Sequence, residues 1–77
     1  MFRELDTVAL TRDLPEHGLV VGDVGAIVHR YPNGAAFEVE FVTAAGDTVA
    51  VVTLTSRDIR PLYGREILHV RELALAS

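Results

Sequence analysis

Phe37, Val39 and Phe41 alternate with Glu38 and Glu40 in the run FEVEFV, from Phe37 to Val42. A period of two with one apolar and one wet face predicts a half-buried strand. The same period recurs from Leu5 to Leu10 (LDTVAL), where Val8 and Leu10 share a face, and Val24 to Tyr31 and Val49 to Leu54 (VAVVTL) are β-branched and mostly apolar. These are three more strands. Ile59 to Leu62 predicts a fifth, with Pro61 holding it at an edge or near its end because proline donates nothing to a ladder. Between them, Pro32, Asn33 and Gly34 mark a reversal, as do Ala44, Ala45, Gly46 and Asp47. Thr55 to Asp58 predicts a single 3₁₀ turn capped by a Thr or Ser hydroxyl. Thr11 to Asp23 (TRDLPEHGLVVGD) is too polar and too interrupted for a regular element and predicts one long surface loop.

Five short strands, a long first loop, two tight hairpins and a turn before the last strand predict a mainly β, SH3-like barrel over residues 1–62. An open antiparallel sheet crossed by a C-terminal helix would use the same strands. Residues 63–77 form an apolar tail in which Ile67, Leu68, Val70, Leu73 and Leu75 fit helical and extended spacing equally. Such a tail must pack on its own barrel or on a partner chain.

The length of 77 residues and 49% hydrophobic content limit the chain to one small domain, and the absence of cysteine removes disulfides, thiolate metal sites and thiol nucleophiles. The opening MFRELDTV is neither a signal peptide nor a membrane span, which predicts a cytoplasmic protein with no membrane contact. Eleven acids against seven bases give a net charge of -4. That opposes attraction to nucleic acid.

No reactive constellation is in view. Ser56 and Ser77 lack a nucleophile elbow, and His17, His29 and His69 match no metal-ligand spacing. No enzyme, metal or cofactor is expected. Counting back through the Pro32–Gly34 turn with Tyr31 opposite Ala36 places His29 across from Glu38, and Ile27 across from Glu40 on the outer face. Tyr31 then projects outward beside a turn, where aromatic rings often anchor interfaces. Asp13, Glu16, His17 and Asp23 lie in or at the end of the long loop, a usual place for binding residues on a barrel. Together with Tyr31 and the tail residues Leu68 and Leu75 they form the expected partner-binding set. Arg30, Arg57 and Arg60, with Tyr31 as a stacking surface, are the candidates if the ligand is nucleic acid.

The run DLPEHGL, followed by GDVGAIVHRYPNG and FEVEFV and later by AVVTL and IRPL, resembles a family of short bacterial proteins defined only as domain of unknown function 4926. The resemblance spans about Leu5 to Pro61. It implies a stand-alone SH3-like barrel and brings no activity with it; some members are encoded beside toxin-like or other small proteins, which implies an antitoxin-like or regulatory role toward a co-encoded partner. GDVGAIV is also loosely similar to KOW-type barrels of ribosomal and transcription factors, which implies RNA or ribonucleoprotein contact. The loop acids Asp13, Glu16 and Asp23 depart from the basic loops of those modules. The leading expectation is therefore a non-catalytic protein-binding module, with a KOW-like nucleic-acid accessory and a structural homodimer paired through its tails as alternatives.

Overall fold

The computed structural model describes residues 2–73. Its strands are β1 (Thr7–Leu10), β2 (Val24–Arg30), β3 (Phe37–Val42), β4 (Thr48–Leu54) and β5 (Ile59–Pro61). They form one antiparallel sheet in the order β4-β3-β2-β1-β5, the strand arrangement of an open SH3-like barrel, with β4 and β5 at its two edges. Among the described residues, helix is limited to two three-residue 3₁₀ turns, Pro15–His17 and Pro32–Gly34. Each begins with a proline, whose fixed φ suits a first helical position. No helix is long and apolar enough to cross a membrane.

The core follows the alternation. Val8 and Leu10 of β1, Ile27 of β2, Phe37, Val39 and Phe41 of β3, Leu54 of β4 and Ile59 of β5 are all buried in one cluster. Phe2 packs against it, its ring edge-on to Phe37 at a centroid distance of 5.6 Å. Gly25 lies opposite Val8 in the ladder. A Cβ there would stand 2.8 Å from both Phe41 Cε1 and Val39 Cγ1 and 2.9 Å from the Glu40 carbonyl, so only glycine lets β2 cross the core this closely.

Four expectations need correction. First, the Thr11 to Asp23 loop is not merely a surface connector. Leu14 and Leu19 are buried in the core cluster and exchange backbone bonds, Leu14 N–H to Leu19 O at 2.9 Å and Leu19 N–H to Leu14 O at 3.2 Å. The polar residues around them hide two anchors that tie the loop to the core. Second, Ile27 opposes Val39 and is completely buried, instead of lying outside across from Glu40; Ala26 takes that place. A bulge between Ile27 and His29 adds one residue, Val28, and thereby reverses the facing of everything before it. His29 does oppose Glu38, and Tyr31 N–H reaches Ala36 O at 3.0 Å, as counted. Third, the same bulge leaves Val28 exposed along with Tyr31, where strict alternation would separate their faces.

Fourth, the tail is neither helix nor strand as far as residue 73. It turns once, Glu66 N–H to Tyr63 O at 3.0 Å, and then returns irregularly toward the first loop. Of the apolar residues that fit helical spacing, Leu73 lines a groove with Leu19 of the first loop, while Ile67 and Leu68 are exposed. Leu75 lies outside the described residues. The turn before β5 is a single one closed by Asp58 N–H to Thr55 O at 3.0 Å, and Arg57 N–H reaches the Thr55 hydroxyl at 3.3 Å. A longer-range tie adds to it, because Arg12 Nε contacts Asp58 Oδ1 at 2.8 Å.

Candidate functional site

The residues expected to bind a partner fall into three places. On the outer face of β2, β3 and β4, Glu38 accepts hydrogen bonds from the Tyr31 hydroxyl and from Thr53 Oγ1, the latter at 2.7 Å. Thr48 Oγ1 donates to Glu40 Oε2 at 2.8 Å on the same face. The Tyr31 bond, with the Thr53 bond behind it, holds the Glu38 carboxyl below its ordinary range, and the same contact raises the Tyr31 phenol. His29 meets Tyr31 edge-on at 4.7 Å and brings Nδ1 to 3.6 Å from Glu4 Oε2. Tyr31 is therefore half-exposed, with its hydroxyl engaged and one ring edge covered.

In the first loop, two of the four expected residues build the loop itself. Asp13 Oδ1 accepts the Val21 N–H at 2.8 Å, and Asp23 Oδ2 accepts the Val20 N–H at 2.9 Å. Glu16 and His17, in the 3₁₀ turn, face solvent. Asp23 has a second role. Arg71 forks onto it, Nε to Oδ1 at 2.8 Å and Nη2 to Oδ2, while Nη2 also donates to the Gly18 carbonyl at 3.0 Å. The guanidinium is the main cause of a lowered Asp23 pKa, partial burial opposing it and the Val20 amide assisting.

The tail is pinned a second time near its start. Arg60 reaches Glu66 through both ends, Nη1 to Oε1 at 2.9 Å and Nη2 to Oε2 at 2.6 Å, and Tyr63 N–H donates to Glu66 Oε1 at 2.6 Å. The guanidinium carbon lies 5.4 Å from the Tyr63 ring centroid. Between this clamp and Arg71 the chain bows outward, and Ile67, Leu68 and Val70 are 92, 67 and 90% exposed. Beneath the return lies an open groove of about 260 Å³ lined by Leu19, Phe41 and Val49 on the barrel and by His69, Val70 and Leu73 on the tail.

Of the three arginines considered for nucleic acid, Arg60 is held by Glu66, and Arg30 and Arg57 sit on separate elements, the end of β2 and the turn before β5. Sequence reasoning missed Arg71, Glu66, Arg12 and Asp58 as structural partners. Arg71 and Asp23 are 48 positions apart and Arg12 and Asp58 are 46 apart, so no local spacing announces either pair.

A family model described as a domain of unknown function (DUF4926) matches residues 4–61. The chain belongs to the DUF4926 family. No curated protein and no solved structure matches it. The DUF4926 match takes in β1 to β5 and stops at Pro61, so both clamps, Arg60 to Glu66 and Asp23 to Arg71, join a residue within the matched span to one beyond it.

Proposed function

We propose that the chain is a non-catalytic protein-binding module whose recognition surface is the bowed segment of the tail. One observation carries this reading: Ile67, Leu68 and Val70 stay exposed between two bidentate arginine–carboxylate clamps. Exposed apolar side chains on a free tail would collapse onto the nearest apolar surface. Pinning both ends lowers the ordering cost of binding, since the segment is already shaped before a partner arrives. The partner is a protein with a complementary apolar depression, in keeping with a regulatory or antitoxin-like role toward a co-encoded protein. His17 lies beside Arg71 and Leu73 on the loop side of this region and supplies part of its polar rim. Arg12, Arg60 and Arg71 face carboxylates, which together with the net charge of -4 weighs against a nucleic-acid ligand.

The test is affinity capture with the tagged full chain from its host, compared with an Ile67→Asp/Val70→Asp double variant. Both positions are almost fully exposed, so the fold should survive and circular dichroism should be unchanged. A stoichiometric protein retained by the parent and lost by the variant is the expected result. The same proteins captured by both forms would overturn the assignment of this surface.

A further inference from the structure

The two edges of the sheet are treated very differently. β5 is three residues long, contains Pro61 and carries the charged Arg60, which is how a natural edge is blunted. β4 is seven residues long, Thr48–Leu54 (TVAVVTL), with no proline and no charge. Among the described residues its ladder runs to β3 alone. Val51, opposite Glu40 on the outer face, is 52% exposed. A long, uncharged, β-branched edge is a template for another strand.

We propose that β4 pairs antiparallel with β4 of a second copy of this chain, giving a two-fold dimer with a continuous ten-stranded sheet. The two-fold passes through Val51, the midpoint of the strand, so that the full length of both strands pairs; only Thr, Val, Ala and Leu are then brought into opposition and no like charges meet. Closure is the argument for a second copy over an unrelated strand. An isologous β4 to β4 contact uses up the bare edge of both chains and leaves only the protected β5 edges outside, so assembly stops at two. A β4 to β5 contact would be heterologous and open-ended, and Pro61 with Arg60 opposes it. Each copy carries a net charge of -4, so the two repel at long range and screening salt strengthens the dimer. That sign separates it from a basic partner steered to the acidic surface, whose binding salt would weaken. The dimer does not rest on the tail surface proposed above, although Val49 of β4 lines the groove that Val70 of the tail also lines.

Sedimentation equilibrium of the full chain across concentration, at low and high salt, tests it together with Val51→Lys and Val51→Glu. The parent should associate to a dimer and no further, more tightly at high salt. Either variant alone should weaken association about tenfold by facing like charges across the two-fold, and an equimolar mixture of the two should restore it. Amide exchange read on the parent alone keeps the test independent of the variants, since β4 amides should gain protection as concentration rises. A monomer at all concentrations and salts would overturn the proposal. So would a dimer that neither substitution affects, or one whose β4 amides exchange unchanged.

Discussion

Gly25 and Gly46 are both glycines for physical reasons, but different ones. At Gly25 an added methyl meets Phe41, Val39 and the Glu40 carbonyl within 2.9 Å, and those neighbours are core side chains and backbone that cannot retreat without disturbing the sheet. Gly25→Ala should therefore cost about 1–3 kcal/mol, the range for overpacking a filled core. At Gly46 nothing lies within 4 Å, but φ is +92°, so Gly46→Ala loses only the conformational term, about 1 kcal/mol. Urea unfolding of the two variants, compared at unchanged slope, checks the ordering. A Gly46 variant less stable than the Gly25 variant would contradict the close approach of β2 to β3. Tyr31 shows how a residue's surroundings change its meaning. Alternation marks it as an outward aromatic, yet its hydroxyl is bonded to Glu38 and its ring meets His29, so it braces the outer face.

Among the elements, the first loop departs furthest from its sequence. Prolines, glycines and acids read as solvated connector, while Leu14 and Leu19 pass unnoticed because two isolated leucines have no period. β3 was legible because Phe and Glu alternate without interruption. The inner face of β2 was not, since a single inserted residue, Val28, shifts parity and bulges have no diagnostic residue type. Two of the ion pairs that fix the loop and the tail, Arg12 to Asp58 and Arg71 to Asp23, were invisible for a third reason: their partners lie more than forty positions apart. The loop's dependence on Asp23 can be tested by pH. With its folded pKa lowered by Arg71, Asp23 binds fewer protons folded than unfolded, so its contribution is complete above the unfolded value near 4 and drains away as pH falls through the lower folded value. Asp58, lowered chiefly by Arg12, acts in the same direction. Thermal melts from about pH 6 to about pH 3 should show the parent losing stability more steeply than Asp23→Asn, which keeps an acceptor for the Val20 amide but no charge for Arg71. Parallel acid limbs would mean that the Asp23 to Arg71 clamp adds nothing to the fold.

Across the whole molecule, a small barrel with no disulfide carries two unsatisfied features, the β4 edge and the apolar bow between the clamps. Small domains often complete their stability by association, and the two features adjoin at the groove that Val49 of β4 and Val70 of the tail both line. The family match covers the sheet and ends at Pro61, so the partner surface we propose lies beyond it, in the segment that the sequence pattern left ambiguous between helix and strand. The most direct measurement of the central claim is an amide correlation spectrum of the isotope-labelled full chain, recorded alone and with the protein that co-purifies from its host. Shifts or broadening concentrated on residues 66–71, with β3 and the core strands little changed, are the predicted result. Perturbation confined to other surfaces, with residues 66–71 unmoved at saturation, would contradict the account.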